Sequence, residues 1–198
     1  MAKVDLDLIQ QLREKTGLGM LDCKKALEES GGDMQKAIEA LRKRGAAIEA
    51  KRSDKSTSEG IVQAYIHPGD QMGVLIELNC ETDFVARTAD FKQLAKDLCM
   101  QIAANKPLYV APDNVDPKFL EHEKNILKEQ LANSGKPAKI LDQIIEGKVN
   151  KLYSDICLLK QQFIKNDQIT VEELVKEVIA KTGENIKIKR FVRFEVGQ

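Results

Sequence analysis

Apolar residues recur every three or four positions through the first fifty residues, as they do on one face of an amphipathic helix. The first such segment stops before Gly17, the second ends at the pair Gly31–Gly32, and Asp33 is placed to cap the third. The apolar positions of the three segments are Leu8, Ile9 and Leu12; Met20, Cys23, Ala26 and Leu27; and Met34, Ala37, Ile38 and Leu41. The pattern predicts a three-helix bundle over residues 1–52.

The pattern changes to that of strands after a polar segment. Residues 53–59 contain no large apolar side chain and are predicted to be a linker. Two apolar segments, 61–66 and 72–78, then flank a Pro-Gly-Asp turn and predict a β-hairpin. An isolated hairpin is marginal in water, so the alternating segment 186–196 is predicted to join it as a third strand.

The remaining pattern completes a second domain over residues 60–198. Helices are predicted at about 89–104, 116–133, 137–155 and 170–182, with a Ser-Gly-Lys-Pro break before residue 138. In the last strand the apolar residues Ile186, Ile188, Val192, Phe194 and Val196 share one parity, with an interruption at residues 190–191 that suggests a bulge or burial on both sides. The predicted class is α+β: a three-helix bundle followed by a small antiparallel three-stranded sheet covered by helices.

Composition and charge narrow the function classes. Among 198 residues, Lys plus Arg and Asp plus Glu each number 31, so the net charge is zero and gives no general attraction to nucleic acid. Aromatic residues make up 5% and Trp is absent, which also argues against base stacking. Neither an apolar run of transmembrane length nor a signal-peptide pattern occurs, so we expect a cytoplasmic protein without direct binding to nucleic acid or membrane.

The cysteines and histidines do not suggest a metal site. Cys23, Cys80, Cys99 and Cys157 are widely scattered, which is typical of reduced, apolar core residues. The two histidines, His67 and His122, have no partner at metal-ligand spacing. We therefore expect neither a metal nor a cofactor.

The junction between the second strand and the following helix, residues 78–87, is the main candidate site. Its sequence places Asn79, Glu81, Thr82 and Asp83 before the apolar pair Phe84 and Val85. Buried aromatic side chains anchor many interfaces, so an acid beside an aromatic residue on a short corner suits insertion into another protein. The alternative is that Thr82 or Asp83 only caps the next helix, while Phe84 and Val85 pack on the sheet.

Three separated segments resemble the elongation factor Ts family. Residues 13–27 (REKTGLGMLDCKKAL) resemble its N-terminal signature, and residues 77–87 (ELNCETDFVAR) resemble its second signature. The final segment, 183–196, is similar to its closing strand. One departure follows the second segment: many relatives are expected to have Asn or Asp where this chain has Thr88, and the difference concerns capping of the next helix.

The resemblance implies a guanine-nucleotide exchange factor without covalent chemistry of its own. Such factors speed GDP release from the GTPase elongation factor Tu, which this chain would bind in GDP-bound and nucleotide-free forms. In the family, a Thr-Asp-Phe-Val corner contacts the GTPase near its phosphate and Mg²⁺ site; here the corner is Thr82, Asp83, Phe84 and Val85.

The resemblance also suggests contacts outside the corner. The bundle resembles the ubiquitin-associated type of three-helix fold, which implies partner contacts at Leu12 and Met20, and we add His67 at the hairpin turn. The alternative is that Leu12 and Met20 belong to the core. Longer relatives carry the hairpin half of the core twice, so this short chain is expected to form a homodimer through its second domain, with the sheet edge as a plausible contact.

Two other classes of protein remain open. One is an interaction protein in which a ubiquitin-associated-like bundle and an α+β scaffold bind some other partner. The other is a thiol or acid–base enzyme that uses Cys80, His67 and Asp83. The enzyme hypothesis is weak because the sequence shows no nucleophile, base and orienting group together.

Overall fold

The structure, a computed structural model, describes residues 4–131 and 137–198. The helices in these ranges are α1 (Leu6–Thr16), α2 (Met20–Glu29), α3 (Met34–Arg52), α4 (Asp83–Ala86), α5 (Ala89–Asn105), α6 (Pro117–Leu131), α7 (Ala138–Ile156) and α8 (Val171–Thr182). The strands are β1 (Glu59–Ile66), β2 (Met72–Cys80), β3 (Gln162–Phe163), β4 (Asn166–Thr170) and β5 (Lys187–Glu195). The predicted α+β class and the three-stranded sheet are confirmed.

Local signals in the sequence determine the ends of the bundle helices. The Asp33 carboxylate accepts hydrogen bonds from the backbone N–H groups of Gln35 and Lys36, at 3.0 and 3.1 Å, and so starts α3. Gly17 ends α1 in the left-handed conformation, with φ 67°, and its N–H donates to the Arg13 carbonyl. The core of the bundle consists of Ile9, Leu12, Cys23, Ala26, Leu27, Ala37 and Leu41.

The main sheet has the strand order β1-β2-β5, with the hairpin strand β2 in the centre. Residues of β2 alternate strictly: Val74, Ile76, Leu78 and Cys80 are buried, and Leu75 between them is exposed. Helix α5 covers the buried face, where the Cys99 thiol donates to the Gln63 carbonyl of β1 at 3.6 Å. One face of the sheet is therefore core and the other is open.

Gly60 is required where β1 passes β2. A Cβ atom on this residue would lie 2.2 Å from the Leu78 carbonyl oxygen and 2.8 Å from the Asn79 Cα. Its φ of +152° is also one that other residues rarely adopt. Glycine thus permits a close backbone approach just before the candidate corner begins.

The alternation of exposed and half-buried residues in β5 is interrupted part of the way along the strand. The burial pattern breaks at Lys189 and Arg190, where two successive residues are exposed, next to the interruption expected from the sequence. Beyond the break, Phe191, Arg193 and Glu195 are half-buried, while Val192 and Phe194 are exposed. Val192 and Phe194, which belong to the set of alternating apolar residues in the sequence, therefore lie on the open face of the sheet.

A second, smaller sheet was not predicted from the sequence. Strands β3 and β4 pair antiparallel as a separate two-stranded sheet, with Gln162 opposite Thr170. Both strands are too short to show an alternating pattern. The predicted end of the second middle helix near 133, and most of the Ser-Gly-Lys-Pro break after it, lie outside the described residues.

The chain divides into two compact units, each made of non-contiguous segments. The first contains Met1–Val62, Glu77–Ala95 and Glu173–Lys187; the second contains Gln63–Ile76, Lys96–Glu172 and Ile188–Gln198. The bundle, the candidate corner and most of α8 thus belong to the first unit. The division into 1–52, 53–59 and 60–198 stays a prediction.

Across residues 4–131 and 137–198, every helix is either too short or too polar to cross a bilayer.

Candidate partner-binding corner

The corner forms where β2 ends and a single turn of helix, α4, begins within three residues. Thr82 precedes that turn in an extended conformation, and its hydroxyl oxygen accepts a hydrogen bond from the Val85 N–H at 3.4 Å. This is the N-cap predicted for Thr82 in the alternative interpretation. Capping is thus one function of the residue, and it fixes the direction in which α4 leaves the strand.

The two apolar residues of the corner have opposite environments. Phe84 is 79% exposed, whereas Val85 is 9% exposed and packs inward. The packing predicted for Val85 is therefore observed and the packing predicted for Phe84 is not. Between Thr82 and Phe84, the Asp83 carboxylate lies 2.8 Å from the Arg87 guanidinium in an i,i+4 pair. The corner thus presents an aromatic ring beside an ion pair.

Glu184, just after α8, holds the base of the corner. One oxygen of its carboxylate accepts hydrogen bonds from the backbone N–H groups of Thr82 and Glu81, at 3.0 and 3.2 Å. The other oxygen accepts one from the Thr82 hydroxyl at 2.6 Å. Sequence reasoning missed this residue, because nothing in the local pattern connects an acid with a position 102 residues earlier.

Glu81 in turn binds the segment that carries Glu184. One of its carboxylate oxygens accepts a hydrogen bond from the Asn185 N–H at 2.7 Å, and the other lies 2.7 Å from the Arg52 guanidinium. The Asn185 side chain in turn donates to the carbonyls of Ser53 and Lys55, at 3.3 and 3.1 Å. The beginning of the predicted linker is therefore hydrogen-bonded to the segment that also holds the corner.

Thr88 takes over the capping function expected of Asn or Asp at its position. Its hydroxyl donates to the Val85 carbonyl at 2.8 Å and accepts from the Phe91 N–H at 3.3 Å. Threonine at this position therefore caps the start of α5.

Cys80 is unsuited to nucleophilic chemistry. It is fully buried, and its thiol donates to the Thr82 carbonyl at 3.1 Å. Burial raises the pKa of the Cys80 thiol to about 11, and the nearby Glu184 carboxylate adds to the shift. A reactive cysteine needs the opposite, a lowered pKa, so this environment argues against the thiol enzyme hypothesis.

The other predicted contact residues differ in exposure. Leu12 is fully buried in the bundle core, as in the core interpretation, whereas Met20 is 40% exposed at the first position of α2. His67 is exposed after β1, and its Nδ1 lies 2.9 Å from the Tyr65 hydroxyl. Met20 and His67 are therefore accessible, and Leu12 is not.

The described residues contain no arrangement of three or more His, Cys, Asp or Glu side chains suited to hold a metal ion.

Comparison with known proteins assigns the chain to a class and then to a family. The sequence profile described as Elongation factor TS matches residues 9–198. The chain is 54% identical over 191 residues to Elongation factor Ts of Carboxydothermus hydrogenoformans, covering 96% of this chain and 88% of that protein. It is 51% identical over 198 residues to Elongation factor Ts of Desulforamulus reducens, covering 100% and 91%. With Elongation factor Ts of Moorella thermoacetica the identity is 56% over 190 residues, covering 96% and 94%.

These matches cover nearly the whole chain, so they define a translation elongation factor. The chain belongs to the elongation factor Ts family.

Proposed function

We propose that this protein is the guanine-nucleotide exchange factor of elongation factor Tu, and that it acts by inserting the corner Thr82–Val85. The observation that carries the proposal is the 79% exposure of Phe84 on a capped turn whose neighbouring residues are held in place. A large apolar side chain so exposed costs free energy in water, and burial in a partner recovers it. The family to which the chain belongs supports the identity of the partner.

The exchange mechanism follows from reciprocal coupling. A factor that lowers the affinity of the GTPase for GDP must itself bind the nucleotide-free form more tightly than the GDP-bound form. Insertion of Phe84 achieves this if the pocket that receives the ring opens only when the phosphate and Mg²⁺ contacts are disturbed. Full burial of such a side chain is worth about 1.5–3 kcal/mol, and each 1.4 kcal/mol of coupling is about tenfold in affinity.

The four corner residues have separate tasks in this mechanism. Phe84 supplies the inserted surface, while Val85 and Thr82 anchor the turn through burial and capping. Asp83 is paired with Arg87 and presents its carboxylate next to the ring. This charge can compete for the groups that order water around the Mg²⁺ of the GTPase. No bond is made or broken in the factor, so one molecule can act on many GTPase molecules in turn, and we propose that it does so in the cytoplasm.

The bundle provides a second contact surface for the GTPase. Its exposed side includes Met20 and Leu21, which are 40% and 71% exposed at the start of α2. A second contact on the same chain increases affinity through effective concentration. We assign this role to Met20 and a further rim contact to His67, and we assign Leu12 to packing in the core of the bundle.

We also propose that the protein is a homodimer that associates through the sheet of its second domain. The support is the open face, on which Ile66, Leu75, Val192, Phe194 and Val196 are 60%, 44%, 39%, 67% and 74% exposed. This support lies on the face of the sheet rather than at its edge. Contiguous apolar surface of this kind usually marks an interface, and a twofold dimer would cover it with the same surface of a second copy.

Release of a fluorescent GDP analogue from elongation factor Tu tests the exchange function. The purified chain at micromolar concentration should accelerate release by orders of magnitude over the spontaneous rate, with excess unlabelled GDP present to prevent rebinding of the analogue. Release at the spontaneous rate, by a chain that is folded by circular dichroism, would contradict the proposal.

A further inference from the structure

Two carboxylates of the first unit exchange hydrogen bonds with each other's backbone. Glu184 accepts from the N–H groups of Glu81 and Thr82, and Glu81 accepts from the N–H of Asn185. Each acid therefore binds the backbone of the segment that carries the other acid. We call this arrangement the crossed clamp, formed by Glu81, Thr82, Glu184 and Asn185.

The clamp acts where the backbone has no regular structure of its own. Strand β2 ends at Cys80 and helix α4 begins at Asp83, so the N–H groups of Glu81 and Thr82 belong to neither element. Both groups point at one oxygen of Glu184. A carboxylate that accepts from two backbone N–H groups and one hydroxyl restricts the direction in which the chain leaves the strand.

The Phe84 side chain contributes nothing to this restraint. Its ring is 79% exposed, and the hydrogen bonds that hold the base of the corner run through residues 81, 82 and 85. The direction of the ring thus depends on the contacts that hold the backbone beneath it, the clamp among them. An inserted group that is already oriented binds more tightly, because less conformational freedom is lost on association.

We propose that Glu184 is the positioning residue of the corner: through the crossed clamp it holds the Phe84 ring in the orientation that enters the GTPase. This inference rests on the proposed exchange function. Glu184 itself touches no partner in the proposal, and its effect on exchange passes entirely through Phe84.

A double-mutant cycle tests this role. Glu184→Ala removes all three acceptor contacts, and it should lower the rate of GDP release at limiting factor by about tenfold, the effect of one charge-assisted hydrogen bond on an equilibrium. In a Phe84→Ala background the same substitution should change the rate by less than about twofold, because there is no ring left to orient. A merely structural role would give the same loss in both backgrounds, and that result would overturn the proposal.

Two further variants test whether the effect on GDP release comes from the acceptor oxygens of Glu184. Glu184→Gln keeps an acceptor oxygen for the two N–H groups and should restore release to within about threefold of the parent chain. Glu172→Ala breaks the 2.6 Å ion pair with Lys160 at the other end of α8, and it should leave release unchanged. If Glu184→Gln is as impaired as Glu184→Ala, acceptance from the two N–H groups is not the relevant contact and the clamp is rejected.

Amide hydrogen exchange tests the crossed clamp in the absence of the GTPase. In Glu184→Ala the N–H groups of Glu81 and Thr82 should exchange at least about tenfold faster, while those of α2 stay within about twofold. Unchanged protection at both sites would overturn the proposal even if exchange activity fell. If the parent chain fails to release GDP but the amides respond as expected, the proposed function has failed and the clamp has not.

Discussion

Phe84 and Val85 are neighbours in the chain, yet the first is 79% exposed and the second only 9%. The single turn of α4 separates them, because successive residues of a helix point about a quarter of a turn apart. Val85 anchors the turn and Phe84 extends away from the protein surface. A substitution at Phe84 can therefore change partner binding with little effect on folding.

Phe84→Ala should lower the stimulation of GDP release at least tenfold. The reason is the loss of about 1.5–3 kcal/mol of burial that occurs only in the complex. The measurement is the rate of fluorescent GDP release, with the melting temperature of the variant recorded alongside. Leu108→Ala is the matched control, since Leu108 is 66% exposed in the second unit and should have no effect. A variant that unfolds would show that Phe84 is a core residue.

Phe194→Asp should convert a dimer into a monomer. A carboxylate in the middle of the open sheet face would be buried without a partner charge in the dimer, but it stays hydrated in the monomer. Light scattering at tens of micromolar should give about twice the chain mass of 22.2 kDa for the parent and about that mass for the variant. Both values should be independent of reductant. A parent mass near that of one chain would contradict the dimer.

Deletion of residues 1–50 should weaken the complex with the GTPase and leave a soluble remainder. The bundle has an apolar core of its own, from Ile9 to Leu41, so its removal takes away one complete cluster. The bundle does approach α8, since a Cβ on Gly45 would meet the Ala180 Cβ at 2.9 Å and one on Gly17 would meet the Lys181 Nζ at 3.2 Å, so the deletion exposes this part of α8. The measurements are affinity for nucleotide-free GTPase and sedimentation of the remainder. Aggregation of the remainder at low concentration would show that the bundle is part of the main core.

The buried thiols should react slowly with alkylating reagents, and they should make the protein less stable at alkaline pH. The pKa is raised by burial to about 11 for Cys80 and to about 12 for Cys99, from an ordinary 9.0. At neutral pH the Cys80 thiolate population is then about a hundredfold below that of an unfolded cysteine, so alkylation should be slower by at least that factor.

The same raised pKa values determine how the free energy of unfolding changes with pH. The native thiols stay neutral where unfolded thiols ionise, so their contribution is full below about pH 9 and is lost as pH rises towards 11 and 12. Urea unfolding at pH 8 and pH 10 should show this fall, and Cys99→Ala should show a smaller one. An equal fall in the variant would assign the effect to other groups.

Two glycine-to-alanine substitutions should have opposite effects. Gly60→Ala places a Cβ 2.2 Å from the Leu78 carbonyl oxygen, and the strained backbone alone costs about 1–3 kcal/mol of stability. Gly147→Ala lies within α7, where an added Cβ meets nothing within 4 Å, and should stabilise by about 1 kcal/mol. Chemical denaturation of the two variants measures both. A Gly60→Ala variant as stable as the parent would contradict the close approach of the two strands.

Much of the fold could be predicted because its signals are local. The caps at Asp33 and Gly17 and the alternation of β2 each act within a few residues, and the structure places them as the sequence indicates. The exposure of Phe84 could not be predicted in this way. Which of two adjacent apolar residues packs inward depends on where α4 points, and Glu184, 102 residues away from Thr82, helps to hold the base of that turn.

The contacts that were missed all join distant positions. Glu184 reaches Thr82, and the amide of Gln101, fully buried, donates to the Gln161 side chain at 3.1 Å. Polar residues give no periodic pattern that identifies such partners. The open face of β5 was hidden for a related reason, because a one-residue break reverses the face of every residue that follows it.

The strand order β1-β2-β5 has a consequence for the time at which the protein becomes competent during synthesis. The central strand gains its second neighbour, and Thr82 gains the Glu184 carboxylate, only after 102 further residues have been made. A nascent or truncated chain that stops before residue 183 has the Phe84 ring but no support to direct it. If the corner acts as proposed, we expect such a fragment to bind the nucleotide-free GTPase more weakly than the 198-residue chain does, so premature products would compete little for the GTPase.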